Sequence, residues 1–188
     1  FVGLPGTGKS AIAESAGTTF GVPTIACDLG GMKQKELGES EANIRMALKV
    51  TTAMSNGNPL FVATANSVRG LNSALRDRFI YTYYFDLPSE EERSVIFDIW
   101  MSKLGVSGDY TAFEHEGWSG RNIQRCCLAA HVEGCTIDDA AQDIIPAKTT
   151  ATRELDELRE EAHGRYLSAA YRGTYQKPLK RAEDAELK

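Results

Sequence analysis

The string Gly3-Leu4-Pro5-Gly6-Thr7-Gly8-Lys9-Ser10 constrains this chain more than any other feature in it. It follows apolar Phe1-Val2 and leads into Ser10-Ala-Ile-Ala-Glu-Ser-Ala16, which reads as a helix closing near Gly17. A glycine-rich turn between a strand end and a helix start lets backbone N–H groups curl round phosphates at the positive end of the helix. In the P-loop pattern Gly3-x4-Gly8-Lys9-Ser10, the lysine reaches the β and γ oxygens and the serine hydroxyl holds Mg²⁺. The pattern therefore implies ATP and Mg²⁺ as cofactors. Gly3, Pro5, Gly6, Thr7, Gly8, Lys9 and Ser10 are the candidate binding residues, and Ser10 is the candidate metal contact. Such a loop normally follows a complete buried strand, so the strand ending at Val2 is expected to begin before Phe1.

Further along, Val22 to Cys27 is a β-rich run ending at the turn Asp28-Leu29-Gly30-Gly31. Ile44, Ala47, Leu48 and Thr51 recur at helical spacing between Ser40 and Ser55, and Asn56-Gly57-Asn58-Pro59 stops that helix. A strand follows at Leu60 to Thr64, then a short helix at Leu71 to Leu75 and a β-rich run from Tyr81 to Leu87. Ser89-Glu-Glu-Glu92 caps a helix running to about Leu104. After Gly105 the pattern is helical only, with segments at 119–133, 136–145 and 151–163. The expected organisation is an α/β core over 1–104, a helical lid with C-terminal helices over 105–176, and a charged, loose tail over 177–188.

With 188 residues, 42% of them hydrophobic, the chain can bury one core plus a small helical annex. The net charge of −5 argues against a generally basic, nucleic-acid-coating surface. No apolar run approaches the roughly 20 residues needed to span a bilayer, so no membrane partner is expected. Cys27, Cys126, Cys127 and Cys135 contain no C-x-x-C pair and read as reduced thiols packed as small apolar residues. That usage suits a cytoplasmic protein, in a host cytoplasm if it is viral.

Taken with Gly38-Glu39-Ser40-Glu41, Ala63-Thr64-Ala65-Asn66, Leu75-Arg76-Asp77-Arg78-Phe79, Phe85-Asp86-Leu87-Pro88 and Gly117-Trp118-Ser119-Gly120-Arg121-Asn122-Ile123, the loop resembles the AAA branch of the AAA+ ATPases. The landmarks fall in the family's order over residues 1 to about 133. The shortened layout is also similar to stand-alone ATPases of tailed bacteriophages. The resemblance implies a P-loop NTPase three-layer α/β/α sandwich with a parallel sheet and a C-terminal helical lid. It further implies a ring homo-oligomer, hexameric in the family, acting on a protein or nucleic-acid substrate.

By the same resemblance four residues become catalytic candidates. Asn66 matches sensor 1, an amide that orients the attacking water; on its residue type alone it is a turn-forming Asn after a strand. Arg76 and Arg78 match the arginine fingers offered to a neighbour's ATP, against the alternative of a solvated basic corner. Arg121 stands where many lids carry sensor 2, against the alternative of an exposed helix-start residue.

The sequence departs from the family in one large respect. Between the Gly38-Glu39-Ser40-Glu41 helix and the sensor strand, the family has an apolar strand ending in Asp-Glu, the Walker B motif, and another helix. Here Asn56-Gly57-Asn58-Pro59 runs straight into Leu60. Loss of that strand would let the 22–27 strand pair directly with 60–64, giving a smaller, four-stranded sheet. It would also remove the carboxylate that polarises water; Asp28 is a candidate outer-shell substitute or a plain turn residue. Two readings stay open: an ATPase that remodels a macromolecule in a ring, and a nucleotide-gated scaffold that binds ATP with little hydrolysis. The Tyr and Arg residues over 164–175 could stack on bases, or pack on the last helix.

Overall fold

A computed structural model of the chain describes residues 1–22, 24–28, 46, 49, 60–67 and 79–178. The strands are β1 (Val2–Gly3), β2 (Thr24–Asp28), β3 (Leu60–Thr64), β4 (Tyr83–Phe85) and β5 (Leu167–Ser168). The helices are α1 (Lys9–Phe20), α2 (Glu90–Leu104), α3 (Gly120–Glu133), α4 (Ile137–Ala141), α5 (Ala147–Thr150) and α6 (Thr152–Ala162), with a 3₁₀ turn at Tyr110–Ala112.

All strand pairs are parallel. β2 lies directly beside β3, in register from Thr24 opposite Leu60 to Asp28 opposite Thr64. β1 pairs with β4, and β4 with β5. A parallel bridge between Val2 and Ala65 joins the two groups. Its ladder is formed by Phe1 N donating to Ala63 O at 2.7 Å, Ala65 N to Phe1 O at 2.9 Å and Gly3 N to Ala65 O at 3.3 Å. The order among the described residues is thus β2-β3-β1-β4-β5, five strands where four were expected because a short strand after the last lid segment adds to β4, and the direct β2–β3 pairing expected from the shortened sequence is present.

The pleat sends alternate residues to opposite faces. Val2, Ala63, Ala65 and Tyr84 meet Leu155, Leu158 and Ala162 of α6 together with Tyr175 in one core. Leu155, Leu158 and Ala162 recur at helical spacing, which gives α6 its apolar stripe. α1 packs on β2 and β3. Gly17 brings it close, since a Cβ there would lie 2.3 Å from Thr24 Oγ1. The sheet therefore has the helix-covered layering of an α/β/α sandwich.

A second core belongs to the lid. Phe97 of α2 is stacked on Tyr110 at 5.0 Å and packs with Trp118, Ile123, Cys126, Cys127, Ala130, Ile137 and Ala140. α2 and α3 each begin with a complete capping box, Ser89 with Glu92 and Ser119 with Asn122, and each ends on a left-handed glycine. No helix among the described residues is long and apolar enough to cross a membrane.

Ile96, Phe97, Trp100, Met101 and Leu104 of α2 all face the lid core, whereas Leu87 packs on the sheet core, so the change of core falls between Leu87 and Ile96. α6 returns to the sheet, and the segment after it is not wholly helical or loose. Leu167–Ser168 adds β5 to β4, and Tyr175 is buried with its ring 4.5 Å from that of Tyr84. Of the tail expected over 177–188, Lys177 is paired with Glu160, and residues 179–188 lie outside those described. The expected helices at 40–55 and 71–75 also lie outside them, apart from helical Met46 and Lys49.

Candidate functional site

Loop 3–8 leaves β1 and enters α1 through Gly6 at φ 85° and Gly8 at φ 91°. Gly3 is required for another reason: a Cβ there would stand 2.2 Å from the carbonyl oxygen of Phe85 on β4. Thr7 Oγ1 donates to Leu4 O at 2.9 Å, fixing the turn. Lys9 is buried, and its Nζ donates to the carbonyls of Gly3 and Leu4, both at 2.7 Å. Ser10 is exposed on the first turn of α1.

The start of α1 differs from those of α2 and α3. Its N-cap is left-handed Gly8, with no side-chain cap and no acidic residue in the first turn. α2 carries Glu90, Glu91 and Glu92 there, and α3 is closed by Asn122. The positive end of a 12-residue helix is therefore left for a diffusible anion, with a lysine beside it. These donors suit a polyphosphate, and the adjacent Ser10 hydroxyl suits a hard cation bound to it. The residues present thus fit Mg-nucleotide: the loop N–H groups and Lys9 would hold phosphate, and Ser10 would hold Mg²⁺, whose chemistry is neutralisation of phosphate charge.

The lid reaches this loop directly. The N–H of Arg121 donates to Gly6 O at 3.2 Å. A Cβ built on Gly6 would fall 2.5 Å from Arg121 Cβ and 3.1 Å from Ser119 Oγ. Gly120 is equally close, since its Cβ position lies 3.1 Å from Gly6 O. The Arg121 side chain is exposed. Asn66 is likewise exposed, one residue beyond the Ala65–Val2 bridge, so the sheet places it at the entrance to the loop. Asp28 stands at the same end of the sheet, its backbone paired with Thr64. Gly3, Pro5, Gly6, Thr7, Gly8, Lys9, Ser10, Asn66 and Arg121 are thus gathered at one edge. Arg76, Arg78 and Gly38-Glu39-Ser40-Glu41 lie outside the described residues.

Two buried clusters were not legible as part of the arrangement. Arg93, on α2, donates from Nε to His115 Nδ1 at 2.8 Å and from its guanidinium nitrogen to Pro88 O at 2.9 Å. Burial first, then the Arg93 charge, lowers the His115 pKa, while Glu114 and Glu90 oppose this. The other cluster is Asp86, which accepts from Arg159 Nε at 3.1 Å, from an Arg159 terminal nitrogen at 2.9 Å and from the Tyr175 hydroxyl at 2.5 Å. Burial and the bond to Asp86 raise the Tyr175 pKa. No local signal in the sequence joins residues separated by 73 and 89 positions.

A parallel α/β/α sheet whose first strand runs through a glycine-lysine-serine loop into helix α1, with a helical lid on that loop, has the P-loop α/β fold. Residues 1–56 match the model of the ATPase family associated with various cellular activities (AAA). Among curated proteins, the chain is similar to the uncharacterized AAA domain-containing protein ycf46 of Pyropia yezoensis, 27% identical and covering 85% of this chain and 39% of that protein. The Guillardia theta protein of the same description is 23% identical, with 86% and 43% covered. The chain thus spans about two fifths of the length of these relatives. Among solved structures, the FIGL-1 AAA domain in complex with ADP superposes with a TM-score of 0.57 at 20% identity, covering 83% of this chain and 74% of that one. A structure described as the basis for katanin self-assembly gives 0.60 at 18%, covering 84% and 75%.

Proposed function

We propose that the chain is an AAA-type ATPase domain that binds Mg-ATP at Gly3–Ser10 and hydrolyses it in a ring, with a macromolecule as the object of the work. The observation that carries this reading is the start of α1. It is a helix N-terminus stripped of side-chain caps, entered through left-handed Gly8, and covered by a lid whose own first turn is bonded to Gly6. The AAA match over residues 1–56 and the ADP complex of the FIGL-1 domain support nucleotide as the ligand. The katanin structure, by its description, supports self-assembly. In this reading Asn66 orients water at the loop entrance, Arg121 meets the γ-phosphate from the lid, and Arg76 and Arg78 serve the neighbouring subunit's site. A hexamer and a protein or nucleic-acid substrate are the family's pattern.

A second reading, a nucleotide-gated scaffold with little hydrolysis, has its own support. The alignment to the Pyropia relative runs over 202 positions against 85% of a 188-residue chain, so that relative carries some forty residues this chain lacks. β2 and β3 are direct neighbours, where the expected pattern has an intervening strand ending in Asp-Glu. Without that carboxylate, binding persists and turnover slows.

Phosphate release from Mg-ATP, followed against protein concentration with Lys9→Ala as blank, separates the two. Turnover rising cooperatively with concentration and lost in Arg78→Ala supports the ring ATPase. Tight ATP binding with no release above the blank supports the scaffold. Wild-type ATP affinity in Lys9→Ala sinks both, because the lysine would then have no part in holding phosphate.

A further inference from the structure

Asn122 is the third residue of α3, and it makes more bonds than a capping box uses. Its Oδ1 accepts from the Ser119 N–H at 3.0 Å and from Ser119 Oγ at 2.8 Å, while its own N–H donates to Ser119 Oγ at 3.3 Å. That much closes the helix start. The same Oδ1 also accepts from the Ala147 N–H at 3.1 Å, and Nδ2 donates to Ile145 O at 2.9 Å. Both of these partners lie on the return linker, the stretch that leaves the lid after α4 and begins α5.

The linker is seated tightly beside this point. Lys148 N donates to Gly117 O at 3.0 Å, and a Cβ on Gly117 would fall 2.5 Å from Lys148 Cβ. On the opposite side the same turn of α3 rests on the phosphate loop through Arg121 N and Gly6 O. Beyond the linker, α6 is fixed to the sheet by Arg159 and Asp86. The lid is therefore fastened at its exit as well as at its entry, where Arg93 holds Pro88 O. Asn122 spans the exit fastening and the loop.

We propose that Asn122 is a positioning residue for the nucleotide site: by tying linker residues Ile145 and Ala147 to the first turn of α3, it holds that turn against Gly6, so that linker position and nucleotide binding are coupled. The inference rests on the reading of Gly3–Ser10 as the Mg-ATP loop. Coupling of this kind is reciprocal: a linker held in place favours nucleotide, and nucleotide in turn protects the linker.

The test uses the full chain and a fluorescent ATP analogue with Mg²⁺. Asn122→Ala removes every bond of the amide, whereas Asn122→Asp keeps the acceptor for Ser119 and Ala147. Ala147→Pro deletes only the linker N–H. Its position is the first of a helix, where proline is tolerated, and Pro146 before it already has φ −57° and ψ 141°, the conformation a following proline requires.

The expected result is affinity weakened about tenfold in Asn122→Ala, largely restored in Asn122→Asp, and weakened about fivefold in Ala147→Pro, the range that site-to-site coupling spans. Amide exchange at Lys148 should slow on adding Mg-ATP in the wild type and stay unchanged in Ala147→Pro; a purely structural role for Asn122 would not link these two readouts. Wild-type affinity in Ala147→Pro, together with Lys148 exchange indifferent to nucleotide, overturns the proposal, and Ala147→Pro decides alone if Asn122→Ala does not fold. Failure of the wild type itself to bind the analogue overturns the loop assignment and this coupling together. Binding that Lys9→Ala abolishes but both linker variants retain overturns the coupling only.

Discussion

The amide of Arg121 donates to the carbonyl of Gly6 at 3.2 Å, so the first turn of a lid helix and the middle of loop 3–8 are held in direct contact. The contact exists because neither Gly6 nor Gly120 has a side chain. A Cβ on the first would overlap Arg121 Cβ at 2.5 Å, and one on the second would press on Gly6 O at 3.1 Å. A lid hydrogen-bonded to the backbone of the loop senses where that backbone lies.

Gly6→Ala is expected to loosen the lid. It forces alanine into φ 85° and drives a methyl into Arg121 Cβ, for a combined loss of about 1–3 kcal/mol. Trp118, buried two residues before Gly120, should become more exposed, read as a red shift in its emission. Gly8→Ala is the control. Its φ is 91°, but a Cβ there meets nothing within 4 Å, so it should strain the loop and leave Trp118 emission unchanged.

Asp86→Ala should cost about 2–3 kcal/mol in urea unfolding, because it leaves a mostly buried Arg159 guanidinium and the Tyr175 hydroxyl without their acceptor. Glu116→Gln, which breaks the Lys148 pair on side chains more than half exposed, should cost less than about 0.5 kcal/mol. Equal losses would mean that the Asp86 cluster does not fasten α6.

The His115–Arg93 pair predicts a pH dependence with a definite sign. His115 accepts from Arg93 through Nδ1, which requires the neutral ring, and its folded pKa lies below the ordinary value of about 6.5. The unfolded chain therefore binds the proton more readily. The pair's contribution is complete above about pH 6.5 and is lost as pH falls from there through the lower folded pKa. His115→Gln keeps an acceptor and cannot titrate. Melting curves from pH 7.5 to 5 should fall less steeply for this variant than for wild type, and parallel curves would count against the pair.

Thiol reactivity should sort the cysteines by burial. Cys126 and Cys127 are fully buried in the lid core, and burial pushes their pKa values up to about 12 and about 11. Alkylation of the folded protein, read by peptide mass spectrometry, should mark Cys135 and spare both of these until urea unfolds the lid.

Local signals in the sequence carried much of this structure. The Gly-Lys-Ser loop, the serine cap at Ser89, the helix from about Ser119 and the strand at Leu60–Thr64 all stand where their residue types place them. The β2–β3 pairing followed from the lack of an apolar run between two strands. What stayed hidden was long-range or too short to show a period. β5 has two residues, α5 has four, and neither offers a pattern to read. The packing of Phe97 and Trp100 into the lid core is likewise long-range, because the position of α2 in the chain says nothing about which core receives them. The tyrosines over 164–175 read as ambiguous because base stacking and core packing require the same ring. Tyr175 is in the core, Tyr166 packs against it and bonds Glu161, and Tyr171 is exposed with its hydroxyl accepting from Gln176 N.

The fastening of Asp86 by residues 73 and 89 positions later also governs the order in which the molecule can be made. On a ribosome adding about 5–20 residues per second, β4 emerges on the order of ten seconds before Tyr175. For that interval the growing chain carries an unpaired β4 edge and an uncompensated carboxylate beside the phosphate loop's own strand. A sheet that depends on α6 and β5 for its completion matures only when nearly all of residues 1–178 are available. Truncations that stop at the end of the lid should therefore accumulate as aggregates rather than as a smaller working domain.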